Sequence, residues 1–160
     1  MKDADELPVR KLHRLPTDTY SSTEVTFFFT ICAAGGASPF SDPELARTVI
    51  ASLLFCRDKY RWSLYCYCLM PDHLHFIAKL TIVGYGSILD HIASFKSHTT
   101  RIYWQLGHTE ALWQKSSYDR VFNYGDDVAS AISYVVSNPI RKGLSSDWQD
   151  YPYSSIVDPL

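Results

Sequence analysis

Two apolar runs, Trp62 to Met70 and His73 to Leu80, are separated only by the turn Met70-Pro71-Asp72. A connection this short forces the second run to return antiparallel to the first, because a parallel neighbour needs a crossover of a dozen residues or more. Any fold open to this chain therefore contains that hairpin. On the second run Leu74 points into the core, while His73 and His75, at i and i+2, fall together on the opposite side.

The remaining segments extend the pattern. Val25 to Ala34, with Phe27, Phe28 and Phe29 in one run, reads as a strand. Asp42 offers an N-cap with Pro43 at the first helical position, and Leu45, Val49, Leu53 and Leu54 recur at helical spacing toward Tyr60. From Ser87 to Leu106, Ile88, Ile92, Phe95, Thr99 and Ile102 predict a second helix that closes at Gly107. Leu112 to Phe122 is a short extended piece. Asp126 to Ser137 carries Val128, Ile132, Val135 and Val136 as a third helix, expected to end at Pro139. The order β, α, β, β, α, β, α predicts an α+β protein, an antiparallel sheet with helices packed on it. At 160 residues, 46% hydrophobic and 20% charged, with no internal repeat, a single domain over 1–160 is expected.

Several classes are excluded. No run approaches the length of a membrane span, since Val25 to Ala34 is interrupted by Thr26 and Thr30. Met1 to Arg14 has charges of both signs and no apolar centre, unlike a secretory signal, so a cytoplasmic protein is expected. Cys32, Cys56, Cys66 and Cys68 form no CxxC pair and are read as core thiols. A net charge of −2 carries no global signal for nucleic acid, so any such contact must be local. Basic residues do cluster at Arg10, Lys11 and Arg14, and again at Arg141 and Lys142.

Two features carry chemistry. His73-Leu74-His75 puts two imidazoles within reach of one metal ion, although two half-exposed histidines would show the same spacing. In Tyr134-Val-Val-Ser-Asn138, the tyrosine and the asparagine are four apart and so lie one turn from each other on a helix face. Alone, that is also what a surface tyrosine and a helix-end asparagine look like.

Together they resemble the HUH single-strand transposases, and within them the REP-associated tyrosine transposases. Tyr67-Cys-Leu-Met-Pro-Asp-His-Leu-His-Phe-Ile77 is similar to that family's HUH strand and its preceding turn. Ser94-Phe-Lys-Ser97 resembles its central helix and Tyr118-Asp-Arg-Val-Phe122 its following strand. Tyr134 through Leu144 resembles its catalytic helix and exit, and Trp148-Gln-Asp-Tyr-Pro-Tyr-Ser-Ser155 the tail of the REP-associated branch. The likeness runs from about Arg10 to Ser155.

The resemblance implies a ferredoxin-like antiparallel sheet flanked by helices, with a basic arm over 1–24 and a tail over 145–160. It implies Tyr134 as nucleophile and His73, His75 and Asn138 as ligands of Mg²⁺ or Mn²⁺. The activity implied is metal-dependent cleavage and rejoining of single-stranded DNA at REP-type hairpins through a 5′-phosphotyrosine, at the bacterial nucleoid, by a monomer or a dimer. Arg10, Lys11 and Arg14 are then candidates for holding a guide sequence beside the hairpin. Lys96, Arg101, Arg120, Arg141 and Lys142 are candidates for phosphate contacts. Two other functions remain open on the residues alone: a domesticated hairpin-binding protein that does not cut, and a metal-dependent phosphodiesterase that activates water.

Overall fold

Trp62–Leu69 (β2) and His73–Leu80 (β3) form the expected hairpin, and β3 pairs on its other side with Thr26–Cys32 (β1). The computed structural model describes residues 14–123 and 125–160. Pro43–Tyr60 (α1) crosses from β1 to β2, and Ile88–Gln105 (α2) crosses from β3 to Tyr118–Phe122 (β4), which pairs with β1. Val128–Val136 (α3) and Asn138–Arg141 (α4) follow, and Ser154–Ile156 (β5) adds to the free edge of β2. The sheet order is β4-β1-β3-β2-β5, antiparallel throughout. The first four strands and two crossover helices make up the ferredoxin-like arrangement.

Local signals explain the helix limits. Asp42 accepts from the Glu44 backbone N–H at 2.9 Å with Pro43 at the first position of α1, and Arg61 ends it in the left-handed region at φ 57°. Ser87 and Asp90 form a reciprocal capping box at the start of α2.

The pleat sorts the core into two layers. Phe27, Phe29, Ile31, Leu74, Phe76 and Leu80 face α1 and α2, meeting Leu45, Val49, Leu53, Ile88, Ile92 and Phe95. On the other side Cys66, Cys68 and Ile77 meet Ile132, Val135 and Val136 of α3. Each such buried aliphatic side chain contributes about 1.5–3 kcal/mol, which is what holds α3 to the sheet.

The structure departs from the sequence reading in four places. Only Tyr118–Phe122 of the Leu112 to Phe122 piece is a strand; Trp113 instead makes an isolated bridge to Ala33, its indole N–H donating to Thr99 Oγ1 at 2.8 Å. A bulge between Leu64 and Cys66 breaks the alternation of β2 and turns both Tyr65 and Cys66 toward α3. Pro139 does not end the helical segment. It sits in the first turn of α4, where a missing N–H costs nothing. Finally, β5 has too few residues to show a period.

The tail after α4 is bound along β2. Leu69 N–H donates to Tyr153 O at 2.8 Å, Val157 N–H to Tyr65 O at 2.9 Å and the Tyr151 hydroxyl to Leu69 O at 2.8 Å. Asp158 locks the end: its carboxylate accepts from Leu64 N–H at 2.7 Å and from Arg57 Nε at 2.9 Å. The Arg57 side chain and then the Leu64 N–H hold the Asp158 carboxyl below its ordinary range. A carboxyl with a lowered folded pKa stabilises the protein above its unfolded pKa, and the contribution is lost as pH falls through the folded value. Asp158→Ala should therefore lower unfolding free energy by about 1–2 kcal/mol at pH 7. Urea titrations of both proteins should show this gap shrinking below about pH 4.

Candidate active site

The two histidines lie on the central strand of the sheet, on the α3 side. Register places His73 opposite Cys32, and His75 between Thr30 of β1 and Cys68 of β2. His73 and His75 are 5% and 9% exposed, which rules out the half-exposed alternative. Their rings meet edge to face with centroids 4.5 Å apart, and Phe28 stacks on His75 at 5.3 Å.

Each ring is oriented through Nδ1. The Asp72 carboxylate accepts from His73 Nδ1 at 2.6 Å, which places that proton and leaves Nε2 with its lone pair. His75 Nδ1 shares a buried hydrogen bond with Thr30 Oγ1 at 2.8 Å. Burial lowers the pKa of His73 against the raising effect of Asp72, with Lys142 adding to the fall. His75 is pushed down to about 3 by burial, then by His73 and Arg141. Both imidazoles are thus neutral near pH 7, the form that offers a lone pair to a metal ion.

The third group arrives from α4. Asp127 caps α3, accepting from Ser130 N–H at 3.0 Å, and the apolar face of α3 docks on the sheet. The helix is interrupted at Ser137, and the next turn carries Asn138, 4% exposed, with Nδ2 donating to His73 Nε2 at 3.4 Å. Tyr134, one turn earlier, is 41% exposed, and the Arg141 guanidinium lies 3.8 Å from the centre of its ring. The expected shared face thus resolves into a buried amide and an accessible phenol.

This donor set fits a divalent ion. Among the described residues no three His, Cys, Asp or Glu side chains gather around a possible metal position, so an ion here would rest on two imidazoles and an amide. Both imidazoles carry the supporting Nδ1 hydrogen bond found behind metal-ligating histidines, and turning the Asn138 amide over presents its oxygen to the same point.

The basic candidates separate. Arg141 and Lys142 follow Asn138 at the end of α4 and are near enough to lower the pKa of His75 and of His73, and Arg120 pairs with Phe28 on the histidine side of the sheet. The others are placed elsewhere. Arg14 binds Asp119 at 2.8 Å, beside Tyr20 and the α2 side of the sheet. The Lys96 ammonium donates to the carbonyls of Gln114 at 2.6 Å and Lys115 at 3.1 Å, so it braces a loop. Arg101 is exposed on α2, behind the sheet. Arg10 and Lys11 lie outside the described residues. Sequence reasoning missed Asp72, Thr30 and Phe28. Asp72 was visible as the neighbour of His73, whereas Thr30 and Phe28 reach His75 only through strand register.

The fold is a ferredoxin-like sheet with two helices on one face, and with the histidine pair and the helix that bears Tyr134 on the other. The chain has the fold of the REP-associated tyrosine transposases: it superimposes on one solved with a bound REP hairpin at a TM-score of 0.73 and 17% identity, over 91% of this chain and 82% of that one. A transposase from Deinococcus radiodurans matches at a TM-score of 0.50 and 17% identity, over 71% and 88% of the two chains. In sequence the chain is similar to a REP-associated tyrosine transposase of Haemophilus influenzae, 24% identical over 139 residues, 81% of this chain and 78% of that protein. No family profile matches. The resemblance read from the motifs is borne out, as is the fold class. No helix among the described residues is long and apolar enough to cross a membrane.

Thr30→Val keeps the shape of a buried β1 residue but leaves His75 Nδ1 without its partner. An unfolding free energy lower by about 1–3 kcal/mol is expected in urea denaturation.

Proposed function

We propose that the chain is a REP-associated tyrosine transposase that cuts and rejoins single-stranded DNA beside hairpins, with Tyr134 as the nucleophile. The observation that carries this reading is the docking of Asn138 on His73 across 65 residues of sequence, which brings the two half-motifs together, Tyr134 standing exposed one turn before Asn138.

A tyrosine hydroxyl is a weak nucleophile at neutral pH, and its attack on a phosphodiester anion meets charge repulsion. A Mg²⁺ or Mn²⁺ ion held by His73, His75 and Asn138 would polarise the scissile phosphate and offset charge on the leaving oxygen. Asp72 and Thr30 keep both imidazoles turned for that task. Arg141 holds the Tyr134 ring by stacking, which fixes where the hydroxyl is presented. Tyr134 Oη would give up its proton and form a bond to phosphorus as the bond to the 3′-oxygen breaks. The products are a 5′-phosphotyrosine and a strand ending in a 3′-hydroxyl once that oxygen takes up a proton. The phosphotyrosine conserves the bond energy, so attack by a 3′-hydroxyl reverses the step and rejoins DNA without a nucleotide cofactor. Neutral ligands hold hard ions weakly, so the affinity for metal should rise when a DNA phosphate completes the shell.

The experiment is a covalent-adduct assay with a hairpin that carries single-stranded flanks. Wild type with Mg²⁺ or Mn²⁺ should yield a protein–DNA species stable in detergent, and a chelator should abolish it. Tyr134→Phe should lose the adduct while binding the hairpin as wild type does, because the ring that stacks on Arg141 is kept. Cleavage without adduct would indicate activated water instead, and hairpin binding with neither would indicate a protein that recognises DNA without cutting it.

A further inference from the structure

On the side of the sheet away from the histidines, α2 grips the segment that follows it. Lys96 and Thr99 stand about one turn apart on α2. The Lys96 ammonium donates to the carbonyls of Gln114 at 2.6 Å and Lys115 at 3.1 Å, and Thr99 Oγ1 accepts from the Trp113 indole N–H at 2.8 Å. That segment is a broken continuation of β4. Tyr118 pairs with Thr30 and Trp113 with Ala33, so the four residues 114–117 oppose only Ile31 and Cys32. A strand with surplus residues leaves its neighbour and returns to it, and the place of departure is set by whatever holds the backbone there. Lys96 holds the two carbonyls at that place.

From this segment a chain of hydrogen bonds leads to His73. Gln114 N–H donates to Cys32 O at 2.9 Å, and on the other side of the same peptide unit Ala33 N–H donates to Asp72 O at 2.8 Å. The Asp72 carboxylate then accepts from His73 Nδ1 at 2.6 Å. Phe40 supplies a second hold on the turn: its N–H donates to Pro71 O at 3.1 Å, and its ring lies 4.8 Å from that of Trp113, centre to centre. The Asp72 side chain is itself 45% exposed, so packing alone does not fix it and these backbone bonds do. We propose that Lys96 is a positioning residue for His73: by fixing residues 113–115 it sets where the Cys32–Ala33 peptide stands, and with it Asp72. Lys96 then serves the site from behind the sheet instead of touching phosphate. The hydrogen-bond chain stands by itself, whereas its bearing on catalysis rests on His73 as a metal ligand, the reading given above.

The test uses the full chain with ¹⁵N-labelled histidine. Lys96→Met keeps an unbranched side chain and removes the ammonium. In wild type the His73 Nδ1–H should give a ring-proton NMR signal shielded from solvent exchange by Asp72, and in Lys96→Met that signal should broaden and exchange faster. Mn²⁺ added alone, followed by water-proton relaxation, should bind about three- to tenfold more weakly; losing the partner behind a metal-ligating histidine costs about 10–100-fold, and Lys96 acts one step behind that partner. Lys96→Gln, whose amide can still donate to a carbonyl, should fall between the two, and it decides should Lys96→Met not fold. Asp158→Ala, which loosens the distant tail, should leave the His73 signal as in wild type; an equal change there marks general loosening and overturns the proposal. An unchanged His73 signal in the Lys96 variants overturns it too, as does a loss confined to hairpin binding with a flatter salt dependence, which marks a phosphate contact. The two readings separate. A His73 signal that responds to Lys96 in a protein that binds no Mn²⁺ keeps the positioning and removes the metal, whereas Mn²⁺ binding with an unresponsive signal removes the positioning alone.

Discussion

Leu74 and His75 are adjacent in sequence and stand on opposite sides of the sheet, as the pleat of a strand requires, and β3 is held in that pleat by pairing on both edges. With β1 and β2 saturating its backbone, β3 has no freedom to slip: a shift of one residue would drive Leu74 and Phe76 out of the core and bury the histidines against α1 and α2. The apolar side chains on one side therefore fix where the imidazoles stand on the other. Thr30 depends on the same register, since it meets His75 only while β1 keeps its pairing. The site is in this sense a by-product of core packing, held by the energy that holds the sheet.

Its electrical character follows from the same placement. Burial keeps both imidazoles neutral, and the nearby cations Arg141 and Lys142 act in the same direction. The chain as a whole is slightly acidic at −2. Of the basic residues read as DNA contacts, Arg14 and Lys96 bind parts of the protein away from the histidines, while Arg120 stands on the histidine side and Arg141 and Lys142 end α4, which carries Asn138. Under the proposed function, attraction for a phosphate chain would therefore be local. A protein of this charge gains little long-range steering and must rely on contacts made at close range.

Much of the architecture was legible because it rests on short-range rules. The hairpin about Pro71, the Asp42-Pro43 start of α1 and the Gly107 stop after α2 are each set by a few neighbouring residues. The parts that were not legible depend on distant partners. The bulge at Tyr65 turns two successive side chains toward α3, a partner more than 60 residues away, and β5 pairs with an edge of β2 still more distant in sequence. Pro139 misled because proline is read as a stop, whereas after Ser137 it serves as a start. In the site, the histidine pair and the Tyr134–Asn138 spacing were visible as patterns. What sequence did not reveal was that Asn138 turns inward while Tyr134 stays accessible, since spacing alone does not say which side of a face is covered.

The tail has a consequence for how the chain meets copies of itself. An antiparallel sheet with an unpaired edge invites another chain to add a strand. Here the β2 edge is taken by the protein's own β5, bolted down by the Arg57–Asp158 pair and by Tyr151. Any neighbour seeking that edge must first evict a segment already hydrogen-bonded there. Joining two sheets edge to edge through β2 is therefore a competition between strands, its outcome set by residues more than 80 positions downstream of the edge they guard.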